Sequence, residues 1–144
     1  MHLHNLAGIA VGMQESGLLP LSPYALRFYG ELAYHDYEGI AMTADEQARL
    51  VHDLGVRPAM RLRNHGSLTV GRTIPEAFVL METLDRACDV QLRAQAAGVP
   101  LRQPPSAMCV TAHAQLAGDG SPEGVLEWPA LLRRLDAASP RYRN

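Results

Sequence analysis

The sequence predicts an α/β layered domain, and three observations carry that prediction. Segments of strand chemistry alternate with segments of helical period along most of the 144 residues. Two capping boxes, Thr43 with Glu46 and Thr73 with Glu76, mark helix starts, because hydroxyl and carboxylate three residues apart satisfy each other's free backbone N–H groups. Behind the second box, Ala77, Met81, Leu84, Cys88, Gln91 and Gln95 recur at alternating intervals of four and three, the period of one buried helical face.

The elements follow in order. Residues 4–14 read as a short loop into a helix, with Asn5 as its N-cap and Gly17 closing it. Residues 18–21 are a short apolar strand candidate, and Ser22 caps a helix over 23–29 with proline in its first position. Residues 32–37 and 39–42 carry strand-type side chains. The first capping box opens a helix over 44–54 that Gly55 ends. Two short strands, 59–63 and 67–70, flank the corner Asn64-His65-Gly66. The second box opens a long helix running to about residue 97, where Gly98 and Pro100 stop it. Composition then shifts to Pro, Gly, Ser and Ala, so residues 99–122 are expected to be an irregular connector. Residues 123–144 are read as a last amphipathic helix, with Trp128, Leu131, Leu132 and Leu135 on its apolar face, and a tail.

Composition narrows the function classes. A formal net charge of −2 gives no reason to expect nucleic acid or an anionic membrane as partner. All thirteen basic residues are arginine, a bias that base composition of the gene can produce as readily as function. Cys88 and Cys109 have no metal-ligand spacing, and Cys88 falls on the apolar face of the long helix. No secretory leader and no apolar run of membrane-spanning length is read from the sequence, so a reduced, cytoplasmic setting is expected.

The histidines carry the chemistry. In an extended segment residues two apart share a face, so His2 and His4 present two imidazoles side by side. His65, on a glycine-flanked turn, can supply a third from another strand, and three protein ligands with an open fourth position characterise catalytic zinc. Taken singly, each has a plainer reading: the first two as a terminal pair without a role, the third as a turn residue between Asn64 and Gly66. His35, Asp36 and Glu38 read as polar residues at a strand–turn junction, His52 as a solvent-facing helix residue, and His113 as part of the connector.

Several short motifs, taken in order, change the weight of that triad. These are His2-Leu3-His4-Asn5, Gly17-Leu18-Leu19-Pro20-Leu21-Ser22, Ala33-Tyr34-His35-Asp36-Tyr37-Glu38-Gly39-Ile40, Leu62-Arg63-Asn64-His65-Gly66, Val70-Gly71 and Glu76-Ala77-Phe78. Together they resemble the class II aldolase/adducin family over residues 1–98, and residues 127–143 are similar to the tail of its adducin-like bacterial members. The resemblance implies a three-layer α/β/α sandwich around a central, mostly antiparallel sheet, here lacking its N-terminal strands, so that residues 1–98 would be the C-terminal part of such a domain. It implies a divalent metal, usually zinc, held by His2, His4 and His65, polarising the oxygens of a small sugar phosphate or hydroxy-carbonyl substrate during aldol cleavage or epimerisation. It also implies a homo-oligomer, commonly a tetramer, in which a tyrosine from the neighbouring chain assists proton transfer; Tyr24 lies in the segment for that role, and equally suits a core or interface position.

Two departures accompany the resemblance. The family's Gly-rich phosphate loop and its acidic base are not found in this sequence, and Asp36 and Glu38 do not match the acidic position. The chain is therefore expected to be a truncated form without activity of its own. The alternative function is a non-catalytic, self-associating scaffold of adducin type, with actin as partner. Against it stand the three histidines and the absence of the lysine-rich tail such a scaffold would carry.

Overall fold

In the computed structural model, which describes residues 1–39, 44–139 and 141, ten elements follow one another. They are β1 (His2–Leu3), α1 (Leu6–Gly12), α2 (Pro23–Leu26), β2 (Leu32–His35), α3 (Ala44–Leu54), β3 (Ala59–Leu62), β4 (Gly66–Thr69), α4 (Ile74–Ala96), α5 (Ser106–Leu116) and α6 (Glu127–Ala138). The strands form one mixed sheet in the order β1-β4-β3-β2. The β1–β4 and β3–β4 pairs are antiparallel, and β2 runs parallel to β3. Mixed α/β architecture is as expected. Among the described residues, no helix is long and apolar enough to cross a membrane.

Because strand side chains alternate, β3 serves two sets of helices. Ala59 joins Phe28, Leu80 and Leu84 in one apolar cluster, beside Leu18 and Leu32. Met60 and Leu62 join Ala33 in another, against Leu50 and Leu54 of α3 and Leu68 of β4. The α4 stripe is buried as its spacing predicts: Met81, Leu84, Cys88 and Gln91 are each at most 2% exposed. Thr73 accepts a hydrogen bond from the Glu76 N–H at 3.2 Å, and the Glu76 carboxylate accepts from the Arg72 backbone N–H at 2.5 Å. That is the expected capping box, with its returning bond shifted one residue outward. Thr43 of the other box lies outside the described residues, as do residues 40–42 of the strand expected at 39–42.

The structure corrects three expectations. Residues 106–116, inside the stretch expected to be irregular, form α5; it buries only Cys109, so no apolar stripe announced it. Residues 18–21 are not a strand, because side chains take their backbone donors: the Leu18 N–H donates to the Tyr34 hydroxyl at 2.9 Å and the Leu19 N–H to Gln91 Oε1 at 2.7 Å. Asn5 stands at the N-cap of α1, yet its side chain makes no cap bond. It instead donates to Asp85 at 2.7 Å and accepts from the Ser67 hydroxyl at 2.6 Å, tying α1 to α4 and β4.

Candidate metal centre

The edge of the sheet assembles the three histidines. β1 pairs with β4 so that His2 lies opposite Leu68, and the terminal amine donates to the Thr69 carbonyl at 2.7 Å, which extends the ladder to the first residue. The β3–β4 corner requires Asn64 in the left-handed region at φ 58°, a conformation asparagine tolerates better than most residues. Gly66 follows because a Cβ there would overlap the Leu3 carbonyl oxygen. The strand edge and the corner thus meet, and His65 faces the His2/His4 pair.

The rings lie 4.9 Å (His2–His4), 4.9 Å (His2–His65) and 4.7 Å (His4–His65) apart between centroids. One nitrogen from each falls within 4.8 Å of the others, and the Nε2 atoms of His4 and His65 are 2.8 Å apart. Burial is the main influence lowering the pKa of both His2 and His65; neighbouring imidazoles add to it, and for His65 Glu46 opposes it. Neutral imidazole is the form that binds a metal. Zinc–imidazole bonds of ~2.0–2.1 Å in a tetrahedron place ligand nitrogens roughly 3.3 Å apart, so this donor set fits a divalent cation after small ring rotations.

Beside the triad lies a cleft of about 100 Å³ whose walls include His2, His65, His35, Tyr37, Glu38 and Glu46. The Tyr37 ring stands edge-on to His65 at 6.1 Å. Glu46, named from the sequence only as a helix cap, is buried in this wall. His35 was expected at a strand–turn junction but is 6% exposed. Its signal was there in the alternation: Ala33 and His35 share the β2 face that α3 covers, and both are buried. Tyr37 had no comparable signal.

The remaining candidates lie elsewhere. Tyr24 sits on α2 at 38% exposure, with the Arg86 guanidinium 5.9 Å from its ring centre, and does not line the cleft of its own chain. Asp36 is exposed and 3.7 Å from Arg63, while Glu38 is held by Arg49, whose hydrogen bonds keep its carboxyl below the ordinary range. His52 faces solvent, as expected. His113 lies on α5, where Nδ1 stands 3.0 Å from the Arg27 carbonyl.

Comparison with known proteins gives a consistent picture. The sequence model described as "Class II Aldolase and Adducin N-terminal domain" matches residues 1–92. A Pseudomonas aeruginosa protein named for the class 2 aldolases is 46% identical over 148 residues, covering 100% of this chain and 57% of its own length. The crystal structure of an aldolase II superfamily protein from Pseudomonas syringae superposes with a TM-score of 0.92 at 42% identity, over 100% of this chain and 58% of that one. The L-fuculose 1-phosphate aldolase of Glaciozyma antarctica PI12 superposes with a TM-score of 0.67 at 28% identity, over 79% of this chain and 42% of its own. The chain therefore spans a little over half the length of the Pseudomonas aeruginosa and Pseudomonas syringae relatives, both of which it matches along its whole extent.

Proposed function

The chain belongs to the class II aldolase and adducin N-terminal domain family, and from that premise we propose that it carries a zinc site for aldol-type chemistry on a small sugar phosphate or related hydroxy-carbonyl compound. His2, His4 and His65 are the ligands. The observation that carries the reading is the convergence of His65 with His4, 61 positions earlier in the chain, and with His2 onto one point, with nitrogens within 4.8 Å. The substrate class draws support from similarity to an L-fuculose 1-phosphate aldolase. A scaffold of adducin type would have no use for three imidazoles brought to one point.

When bound, a divalent cation would supply Lewis-acid polarisation of the substrate's carbonyl and hydroxyl oxygens, offsetting charge that develops during bond cleavage. The chain's own residues do the rest. His2 and His65 stay unprotonated near neutrality, and so remain donors, because burial disfavours their charged forms. Leu50, Leu62 and Leu68 form apolar parts of the cleft wall that keep water from the reacting end. At about 100 Å³ the cleft of one chain is smaller than the ~300–1,000 Å³ usual for ligand sites, so it takes the carbonyl end of a ligand and leaves the rest outside. We read the protein as a homo-oligomer, a tetramer in the manner of the family, in which Tyr24 serves a neighbouring subunit's site.

Cleavage of a panel of ketose 1-phosphates, followed by enzyme-coupled detection of the triose phosphate released, tests the proposal. Cleavage that disappears on chelation and in His65→Ala supports it. Cleavage that survives both overturns the lyase reading. None by zinc-loaded protein overturns activity of the chain as it stands and returns it to the truncated, inactive form expected from the missing phosphate loop and acidic base.

A further inference from the structure

The three converging histidines do not account for every imidazole in the cleft. His35, at the end of β2, is 6% exposed, and its two nitrogens have different fates. Nδ1 lies 2.7 Å from Oδ2 of Asp53 on α3. Nε2 is buried and has no hydrogen-bond partner among the described residues. Oε1 of Glu38 is 3.8 Å from it, beyond hydrogen-bonding range, and the Glu38 carboxylate is already held by Arg49 through both oxygens. An unpartnered buried polar atom in a folded protein calls for an explanation, and a ligand that supplies the partner is one.

The chemistry of the pair fixes what that ligand must offer. An ionised carboxylate only accepts hydrogen bonds, so Nδ1 of His35 carries a proton, and in the neutral ring Nε2 then offers a lone pair. Hydrogen bonds from His35 and from His52, whose Nδ1 is 3.2 Å from Asp53 Oδ1, hold the Asp53 carboxyl below its ordinary range and thus ionised. A carboxylate that sets the tautomer and direction of an imidazole is the arrangement that makes histidine an effective base. Other charged or titratable groups around the cleft are Glu46 from α3, Asp36 from the segment after β2, and Arg63, His65 and His2 from the neighbouring strands and corner.

We propose that His35 is the general base of this cleft and Asp53 its positioning residue, with Nε2 removing a proton from the carbon next to the carbonyl of a hydroxy-carbonyl ligand. This rests on the zinc site proposed above. In the step, an N–H bond forms at Nε2 as the C–H bond breaks. The electron pair of that bond becomes a carbon–carbon double bond, and the carbonyl π pair moves to oxygen. Return of the proton from the imidazolium to carbon reverses each change. Glu46 and Tyr37 line the same cleft but lack this combination of an oriented ring and an unpartnered acceptor.

The test uses zinc-loaded full chain with dihydroxyacetone phosphate in D₂O, following loss of its C–H signals by proton NMR, alongside ¹⁵N spectra of the histidines. The expected result is zinc-dependent exchange in the wild type, with His35 Nε2 unprotonated. In His35→Gln the exchange should fall by roughly 10²–10⁴-fold, the usual contribution of a general base, with the zinc titration unchanged. Asp53→Asn, which keeps the ring but can donate to Nδ1, should move the proton to Nε2 and slow exchange while zinc still binds. A merely structural His35–Asp53 tie between β2 and α3 would lower the melting temperature in both variants without altering exchange per folded molecule. Undiminished exchange in either folded variant, a wild-type His35 protonated on Nε2, or no exchange by zinc-loaded wild type overturns the base role and leaves the zinc site standing. Failure to bind zinc, or exchange that persists without it, overturns the zinc reading and the inference with it.

Discussion

On the α4 side of the sheet, most buried polar atoms are spent on one another. Arg61 is fully buried, and although its Nε has no partner among the described residues, its terminal nitrogens donate to the Ser67 hydroxyl, to the Gly8 carbonyl at 2.6 Å and to Cys88 Sγ at 2.9 Å. Gln91 is equally buried and uses its whole amide, donating to Gln14 Oε1 at 2.8 Å and the Gly17 carbonyl at 2.9 Å while accepting from the Leu19 N–H at 2.7 Å. Burial also pushes the Cys88 thiol up to about 11, so it remains a neutral partner rather than a nucleophile. On the α3 side, three imidazoles crowd together and the His35 Nε2 has no partner among the described residues. The α4 face carries the larger share of the buried hydrogen bonds, while the proposed zinc site draws on the α3 face. Stability and metal binding should therefore be separable by mutation.

The largest effect is expected on the first face. Leu84→Ala removes a fully buried side chain from the cluster of Phe28, Ala59 and Leu80, and should cost about 2–5 kcal/mol by urea unfolding. Zinc affinity of the fraction that remains folded should not change. A parallel loss of both would mean that the two faces are one cooperative device.

Next comes the joint between edge strand and corner. In Gly66→Ala the new Cβ collides with the Leu3 backbone, pushing β1 away from β4 and carrying His2 and His4 from His65. Zinc affinity should fall by roughly 10–100-fold, as for other changes that misplace a ligand without removing it. Unfolding should change far less, because β1 is a two-residue edge strand. Thr73→Ala is the smaller converse: loss of the α4 cap should cost about 1 kcal/mol and leave zinc titration unaltered.

Acidification gives the smallest expected effect on stability. The folded pKa values of His2 and His65 lie below the ordinary value of about 6.5. Between that value and the depressed ones, the unfolded metal-free chain binds more protons than the folded chain, so these groups make stability rise with pH and fall on acidification. The urea midpoint of metal-free protein should drift downward as pH drops through this window, and zinc affinity should drop with it as protons compete for the same nitrogens. A midpoint that rises on acidification there would reverse the sign assigned to these two histidines.

Much of this division was legible in the sequence because it rests on local rules. The Thr73–Glu76 box, the four–three stripe to Gln91 and the same-face pair His2 and His4 each depend on spacing within a few residues. What escaped depends on partners far away in the chain. Asn5 has the chemistry of a cap, but Ser67 and Asp85 compete successfully for its side chain. Residues 18–21 have strand composition, but Tyr34 and Gln91 claim the backbone donors at Leu18 and Leu19. Helix α5 lies between proline-rich flanks and leaves most of its side chains exposed, so neither composition nor period marked it. For His35, the alternation with Ala33 gave a signal of burial, but the neighbours Asp36 and Glu38 outweighed it, and the contact of Asp53 with Nδ1 had no local sign at all.

Titration of metal-free protein with zinc in competition with a chromophoric chelator, wild type beside His4→Ala and His65→Ala, tests the central claim most directly. The account predicts one zinc per chain in the wild type, lost in both variants while their urea unfolding stays near that of the metal-free wild type. Folded wild type that takes up no zinc, or zinc binding indifferent to both substitutions, would contradict it.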